Sequence, residues 1–375
     1  MLFGAADPDC YQALLEAKTS RTAQMLAPFE PPDPVIVASS PSGFRMRVEF
    51  RMWHSGEDLN YVMFDPANPK VPVPVQSMPI AHAQIQQLMP MLLAQLRASP
   101  TLRRKLFQSE FLATTAGDLL VTLVYHRALD TSWEQAAQAL RKTLEAQIPG
   151  LSLIGRSRKQ KIVLGREYVR EALEVQGSRY QYRQYEQGFS QPNAGVNVRM
   201  IEWACKQAAA FCTGDLLELY CGNGNFTLPL SRHFDTVIAT EVSKRSTRAA
   251  RENLADNAIG NVYLLRLSAE EMAQALRGDR VFRRLEALPN ALSQYQLNTL
   301  FVDPPRAGLD AQTTAIASDF EIIIYVSCNP QSLARDLQTL CVTHAIRALA
   351  LFDQFPYTDH LECGVVLCKR IRESR

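Results

Sequence analysis

The spacing of hydrophobic and polar positions changes twice along the chain. Residues 8–26 place apolar side chains at helical spacing and end at a proline-rich spacer, "APFEPPDPV". From residue 43 apolar and polar positions alternate, and "HSGED" predicts a hairpin turn between two strands. A helix over "IAHAQIQQLMPMLLAQLR", two strands around "AGD" and a capped helix from "DTSWEQ" follow. Up to about residue 185 this pattern predicts an α+β module with an antiparallel sheet.

From about residue 195 short apolar runs alternate with amphipathic helical segments. The runs are strands such as "DLLELY", "TVIATEV", "TLFVDPP" and "EIIIYVSC", and the strand pair "IRALALFDQF" and "ECGVVLCKR" closes the pattern. This alternation predicts a doubly wound, mostly parallel α/β sheet whose ligands bind beyond the C-terminal ends of the strands. We therefore predict two domains, residues 1–185 and residues 186–375.

Charge, cysteine spacing and the length of apolar runs restrict the kind of protein this can be. The 375 residues are 47% hydrophobic and 21% charged, and their net charge of +2 is too small to indicate a nucleic-acid partner by itself. The eight cysteines form no CxxC pair, which argues against a metal or iron–sulfur cluster and suits a reducing cytoplasm. Since no apolar run approaches roughly 18 residues, we expect no membrane segment. We also expect a cytoplasmic location and no obligate protein partner.

The stretch "LLELYCGNGNFTLPL" predicts a strand, a glycine turn and a helix. Gly222 and Gly224 would let the backbone approach a ligand. A dinucleotide site would need a third glycine where Phe226 stands. Glu218 and Glu241 are placed to accept hydrogen bonds from ribose and from a cationic amino-acid group. This favours S-adenosylmethionine, and an ordinary turn with no ligand is the alternative.

Two further strand ends carry reactive residue types. In "TLFVDPPRAGLD" the prolines hold Asp303 and Arg306 on a stiff turn, although a capping carboxylate and a solvated charge are the plainer interpretations. In "IIIYVSCNPQSLA" Pro330 predicts a helix start just after Cys328. The helix N–H groups would lower the pKa of this thiol below about 8.5. A buried structural thiol is the alternative.

A thiolate has a specific use in methyl transfer to uracil. Carbon C5 of uracil is too weak a nucleophile unless a thiolate first adds to C6 and leaves an enolate. A base must then remove the C5 proton before the sulfur is expelled. Glu362 in "YTDHLECGVVL" is the candidate base, with a surface carboxylate as the alternative and His360 and Asp359 as weaker candidates.

Five motifs carry most of the site candidates: "FSQPN" (189–193), "ELYCGNGNF" (218–226), "FVDPPRAGLD" (301–310), "YVSCNP" (325–330) and "LFDQFPYTDHLECGV" (351–365). Together they resemble the transfer-RNA uracil-5-methyltransferases. The stretches "FRMRVEFRMWH" and "LRRKLFQSEFLATT" also resemble the N-terminal RNA-binding part of that family. The resemblance implies a Rossmann-like class I S-adenosylmethionine-dependent methyltransferase domain preceded by an α+β RNA-binding domain. It also implies formation of 5-methyluridine at position 54 in the T loop of tRNA.

The resemblance also implies residue roles. Cys328 would be the nucleophile and Glu362 the proton acceptor. Contacts to S-adenosylmethionine or to the target base would come from Gln191, Tyr220, Asn225, Glu241 and Asp303. Apart from the resemblance, we expect Arg306 and Asn329 to bind or support the substrate. The T arm of tRNA would be the partner, and other RNAs with a T-like stem-loop, such as tmRNA, are further candidates.

Four alternatives stay open at this level. The ribosomal-RNA uracil methyltransferases usually carry an N-terminal cysteine cluster, whereas this chain has only Cys10 before residue 200. A methyltransferase for an exocyclic amine usually has an aromatic residue where Arg306 stands. A cytosine-C5 enzyme would need a protonated acid at the position of Asp303, because the N3 atom of cytosine accepts a hydrogen bond. The N3–H group of uracil can instead donate to an ionised Asp303. The last alternative is an RNA-folding module in which methylation is secondary.

Three basic clusters and several aromatic residues are candidates for RNA contact. Each cluster alone is more typical of a solvated face, and most such aromatic residues lie in cores. The basic residues are Arg45, Arg47 and Arg51, then Arg103, Arg104 and Lys105, and then Arg156, Arg158, Lys159 and Lys161. The aromatic residues are Phe44, Trp53, Tyr61, Phe107 and Tyr125.

Overall fold

The computed structural model describes residues 7–56, 58–65 and 68–370. Glu57 of the predicted hairpin turn and residues 1–6 of the N-terminus, where we expect no targeting segment, lie outside the described residues. The helices are α1 (Pro8–Leu26), α2 (Ala83–Ala98), α3 (Pro100–Arg103), α4 (Thr131–Glu145), α5 (Ala194–Phe211), α6 (Thr227–Leu230), α7 (Lys244–Asp256), α8 (Ala269–Arg277), α9 (Ala311–Ala317) and α10 (Pro330–Leu340). None of the helices in these ranges is long and apolar enough to cross a membrane.

The strands fall into three sheets. Those of the N-terminal half are β1 (Val35–Val37), β2 (Arg47–Ser55), β3 (Asp58–Asp65), β4 (Asn68–Pro74), β5 (Leu106–Ala113), β6 (Leu119–Tyr125), β7 (Leu151–Ser157), β8 (Gln160–Leu164), β9 (Tyr168–Val175) and β10 (Ser178–Tyr185). Those of the C-terminal half are β11 (Asp215–Leu219), β12 (Val237–Thr240), β13 (Val262–Leu265), β14 (Leu297–Val302), β15 (Ile322–Ser327), β16 (His344–Phe352) and β17 (Glu362–Lys369).

The chain forms two compact units, each built from separated segments. The first consists mainly of Ser40–Ala172 and Arg183–Ala194. The second consists of Asp9–Ser39, Leu173–Tyr182 and the chain from Gly195 onward. The predicted division of labour, RNA binding by residues 1–185 and catalysis by residues 186–375, concerns function and stays a proposal.

The second unit is built around an eight-stranded sheet in the order β1-β16-β17-β15-β14-β11-β12-β13. Strands β11 to β15 pair in parallel, and β17 runs antiparallel to both of its neighbours. Strand β15 is buried after its first residue, as expected for a strand covered on both faces. The doubly wound α/β fold is confirmed.

The first unit contains a seven-stranded sheet in the order β4-β3-β2-β5-β6-β7-β8. Most neighbours are antiparallel, as predicted, but β6 and β7 are parallel because α4 connects them. Helix α4 begins where the pattern predicts, since the Asp130 side chain accepts a hydrogen bond from Trp133 N.

The pattern missed some short elements. Strand β1 begins at Val35, the last residue of the predicted spacer, and pairs in parallel with β16, with Val35 opposite Ala350. Three residues are too few to show a period of two. Strand β4 is also absent from the prediction. The helix predicted after the glycine turn is one α-turn, Thr227–Leu230, followed by a 3-10 turn, because β12 already begins at Val237.

Candidate active site

The strand register brings three predicted site residues to one level of the sheet. Leu219, which ends β11, lies opposite Thr240 of β12 and Val302 of β14. The residues that follow these three strand ends are Tyr220, Glu241 and Asp303. The carboxyl ends of parallel strands therefore deliver a phenol and two carboxyl groups to the same edge, where such sheets bind ligands.

The antiparallel pairing of β15 with β17 places the candidate nucleophile beside the candidate base. Ser327 lies opposite Cys363, so one step further Cys328 lies at the level of Glu362. Cys328 is half-buried, whereas Glu362 is only 3% exposed. Glu362 Oε2 has no hydrogen-bond partner within the described part of the chain. A buried carboxyl oxygen without a partner is unusual and suits a group that acts on a ligand.

The loop after β11 has the backbone geometry of a ligand site. Tyr220, Gly222 and Gly224 all have positive φ angles, of 62°, 58° and 88°. Such a conformation is strained for tyrosine, and strain of this kind clusters at functional sites. A Cβ on Gly222 would meet nothing within 4 Å, so there is room for a ligand against the backbone. A Cβ on Gly224 would lie 2.6 Å from Leu228 Cδ1, so this glycine serves close packing.

Glu241 is held in a fixed orientation by the backbone. Gly222 N donates to Glu241 Oε2 at 3.1 Å, and Ser243 N donates to Oε1 at 2.7 Å. Each carboxylate oxygen keeps further acceptor capacity, which suits the hydroxyl groups of a ribose. The open backbone at Gly222 and the oriented Glu241 therefore fit S-adenosylmethionine, which has a ribose and no pyrophosphate.

Asn225 is oriented by a residue that sequence reasoning missed. Its amide exchanges two hydrogen bonds of 2.9 Å with the amide of Asn197 on α5. Tyr182 also donates its hydroxyl proton to the Asn225 carbonyl at 3.1 Å. An amide pair between distant segments leaves no local sequence signal, so only the fold reveals it.

The Asp-Pro-Pro-Arg turn is tied to the start of α10. Asn329 caps α10 through a bond from Gln331 N to its Oδ1, and its Nδ2 donates to the Arg306 carbonyl at 2.9 Å. Further along, Arg335 Nη2 donates to the carbonyls of Ala307 and Leu309 at 2.8 and 3.1 Å. Asn329 thus supports the site through the main chain, while the Arg306 side chain is exposed.

The prediction that Cys328 has a lowered pKa is wrong. Burial, and after it the neighbouring Glu362 and Asp303 carboxyls, raise the pKa of the Cys328 thiol to about 11. Arg306 and a backbone hydrogen bond oppose this shift but are weaker. The helix start does lie next to the sulfur, but desolvation and two neighbouring acids outweigh its N–H groups.

The acids at this edge hold protons more tightly than usual. Burial raises the pKa of Asp303 to about 7. Burial and then the charge of Asp303 raise the pKa of Glu362 well above its usual range. Burial also raises the pKa of Glu218 to about 8, although the Thr227 hydroxyl opposes the shift. Shifted groups grouped at a sheet edge mark a candidate catalytic site.

The remaining predicted residue, Gln191, lies in the first unit. It is half-buried in the segment between β10 and α5. The same segment is supported by Arg47, whose guanidinium donates to the carbonyls of Glu186 and Gly188 at 2.8 and 2.9 Å. A contact from Gln191 to cofactor or base stays a prediction.

The basic and aromatic candidates of the first unit divide into structural and exposed groups. Phe44, Tyr61 and Tyr125 are buried core residues. Arg156 pairs with Glu186, and Lys161 pairs with Glu167 at 2.9 Å. In contrast, exposed Arg51 lies 3.8 Å over the Phe107 ring, which stacks on exposed His126 at 3.9 Å. This stack of Arg51, Phe107 and His126 presents flat groups to solvent.

Comparisons with known proteins find relatives that match almost the whole chain. Residues 10–370 match the family model described as tRNA (uracil-5-)-methyltransferase. A tRNA/tmRNA (uracil-C(5))-methyltransferase of Aromatoleum aromaticum is 51% identical over 366 residues, which cover 98% of this chain and 97% of that protein. One of Pectobacterium carotovorum is 52% identical over 360 residues, with 96% and 97% covered.

Among solved structures, the fold is similar to that of Pyrococcus abyssi tRNA (uracil-54, C5)-methyltransferase in complex with S-adenosyl-L-homocysteine. The TM-score is 0.70 at 19% identity, and the match covers 95% of this chain and 83% of that chain. At this identity the likeness confirms the fold.

Proposed function

The chain belongs to the tRNA (uracil-5-)-methyltransferase family, and from that premise we propose that it methylates C5 of uridine 54 in the T loop of tRNA. The methyl donor is S-adenosylmethionine, and tmRNA is a second candidate substrate. The observation that carries the proposal is the register of β15 and β17, which sets Cys328 beside Glu362 at the edge that holds the glycine loop.

The cofactor would be held by the second unit. The backbone around Gly222 and the oriented carboxylate of Glu241 would receive the nucleoside, with Tyr220 and Asn225 beside it. S-adenosylmethionine supplies an electrophilic methyl group when bound. Gln191 is a proposed further contact, to cofactor or base.

Asp303 would orient the uracil. Its ionised carboxylate can accept a hydrogen bond from uracil N3–H, whereas the N3 of cytosine is an acceptor and would require the protonated acid. With a pKa near 7, Asp303 is partly ionised at neutral pH. Binding a hydrogen-bond donor favours the ionised form and so selects uracil.

Cys328 and Glu362 would carry the covalent steps. The Cys328 thiol would lose its proton to solvent in the assembled site, and its sulfur would bond to C6 while the C5–C6 π electrons move into an enolate on C5 and O4. C5 would then take the methyl group, and the donor would leave as S-adenosylhomocysteine. Glu362 would act in its ionised form: it would accept the C5 proton, the C5–C6 double bond would reform, and the C6–S bond would break to return the thiolate. Arg306 is the cation that favours the thiolate.

The first unit would hold the T arm. RNA binding requires neutralised phosphates and, for bases that have left the stack, flat side chains. The exposed stack of Arg51, Phe107 and His126 offers both properties. This supports the proposed assignment of RNA binding to residues 1–185 and catalysis to residues 186–375.

The test compares two RNAs with labelled S-adenosylmethionine. An unmodified tRNA transcript and a ribosomal-RNA fragment are each incubated with the protein, digested to nucleosides and examined by mass spectrometry. We expect 5-methyluridine from the tRNA at position 54. Label only in the ribosomal fragment, or in 5-methylcytidine, would overturn the substrate assignment.

A further inference from the structure

Lys18 of α1 is buried beside the segment that leads to Glu362. Its side chain is 4% exposed, and its ammonium donates to Asp353 Oδ1 at 2.5 Å. It also donates to three backbone carbonyls, those of Phe355 at 3.1 Å and of Thr358 and His360 at 3.3 Å. An ammonium has three N–H donors, so these four acceptors use its full capacity.

All four acceptors belong to one loop. Residues 353–361 connect β16 to β17, and the two strands meet at the pair Phe352 and Glu362. Lys18 therefore binds the first residue of the loop and also His360, two residues before Glu362. The loop contains Tyr357 with a φ of 63°, a conformation that persists only where surrounding contacts enforce it.

We infer that Lys18 is a positioning residue for Glu362, fixing the loop of residues 353–361 so that the carboxyl group faces the reacting base. This inference rests on the proposed function, because it assigns Glu362 to proton removal. A group that transfers a proton must be held to about 0.5 Å, and its support comes from buried hydrogen bonds. Glu362 begins a strand, so its main-chain position depends on the loop before it.

A neighbouring ion pair provides a matched control. Arg21 lies on the same helix and bonds to Asp359 of the same loop at 2.9 Å, but the two side chains are 56% and 90% exposed. Exposed pairs of this kind contribute little. Arg21→Met should therefore leave turnover unchanged, whereas Lys18→Met removes every bond from the ammonium and keeps the apolar stem.

The experiment measures kcat and KM for tRNA and the fraction of enzyme in a covalent RNA adduct on a denaturing gel. We expect Lys18→Met to lower kcat at least roughly tenfold with KM changed less than about twofold. We also expect the adduct to accumulate, since proton removal at C5 is the step that fails. Wild-type turnover in a folded Lys18→Met protein would overturn the inference.

Lys18→Met leaves Asp353 buried without its partner and therefore endangers folding. The double variant Lys18→Met, Asp353→Leu replaces the ion pair by apolar side chains and still lacks the three carbonyl bonds. We expect it to fold, to bind tRNA and to accumulate the adduct. Normal turnover, or failure of both variants to fold, would assign Lys18 to the fold alone. If the wild-type protein makes no 5-methyluridine, the proposed function itself falls.

Discussion

Cys328 shows how neighbours, rather than the residue itself, decide reactivity. Its thiol is half-buried beside Glu362 and Asp303, and these surroundings raise its pKa to about 11. The raised pKa favours the protonated thiol in the free protein, and a thiol is less reactive than a thiolate. In the proposed reaction the thiolate forms only in the assembled site, where substrate and cofactor change the charge and solvation around it.

Cys328→Ser is expected to lose methyl transfer by at least about 1000-fold while keeping S-adenosylmethionine binding, because an alkoxide is far less accessible than a thiolate. Methyl transfer to a tRNA transcript and calorimetric titration of the cofactor measure the two properties. Cys341→Ser, at the opposite end of α10, is the control and should change neither. Substantial activity in Cys328→Ser would remove Cys328 from the role of nucleophile.

Asp303→Asn is expected to stabilise the protein at pH 8 by about 1–2 kcal/mol, less than the roughly 4 kcal/mol of the full shift, because Asp303 is only half-buried and solvent screens it. The pKa of Asp303 rises from 3.8 to about 7 on folding, so the folded state holds a proton that the unfolded chain releases between these values. Stability is therefore lost as pH rises through about 7, and asparagine avoids the loss.

Urea unfolding at pH 8 and at pH 5 checks this prediction, with Asp319→Asn at an exposed position as the control. The stability gained by Asp303→Asn should be smaller at pH 5, because the wild-type protein has lost only part of its stability at that pH. A gain that is equal at both pH values, or a destabilised variant, would contradict a raised pKa for Asp303 in the folded protein.

At the scale of elements, helix starts and strand ends assemble the site. Helix α10 begins at Pro330, as the sequence predicts, and its cap Asn329 also bonds to the carbonyl of Arg306. One residue thus joins the ends of two neighbouring strands, β14 and β15. The cap is readable from the sequence, but its second bond depends on how the strands pair.

Asn329→Ala is expected to cost about 1 kcal/mol of stability, as for any lost N-cap. It should also lower kcat by roughly tenfold, because the turn that carries Asp303 and Arg306 loses a tether. Asp130→Ala removes the cap of α4 in the first unit and is the matched control. We expect the two variants to lose equal stability and only Asn329→Ala to have a lowered kcat. An unchanged kcat in both variants would contradict the tethering role.

The elements that were predicted correctly have long, clean patterns. Strand β15 and helix α8, with its Ser268 and Glu271 capping box, carry their own signals. Strand β1 has no such sequence signal, because it is only three residues long and is a strand only through its pairing with β16. The positions of Cys328, Glu362 and Asp303 were likewise readable. Lys18 and Asn197 were not, since their partners lie far away in the sequence.

At the scale of the whole molecule, the units do not follow the order of the chain. Segment Asp9–Ser39 belongs to the second unit, where it supplies α1 and the edge strand β1. Leu26 of this segment is fully buried in the core that includes Leu217 and Leu351. The predicted boundary near residue 185 describes where the pattern changes, and the structure adds the N-terminal segment to the α/β unit.

A fragment of residues 186–375 is therefore expected to unfold at lower urea concentration than the full chain, or without cooperativity. It lacks α1, β1 and the Lys18 bonds to the loop of residues 353–361. The same fragment with residues 9–39 attached by a flexible linker is the control and should recover stability. Equal unfolding midpoints for both fragments would contradict a structural role for the N-terminal segment.

The most direct test of the account is the covalent step itself. Glu362→Gln protein, incubated with tRNA transcript and S-adenosylmethionine, should accumulate an RNA adduct, because the C5 proton is not removed and the sulfur is not expelled. Nuclease and protease digestion followed by mass spectrometry locates the modified residue. The account predicts a methylated uridine bonded to the peptide that contains Cys328. An adduct on another residue, or none with either wild-type or Glu362→Gln protein, would contradict it.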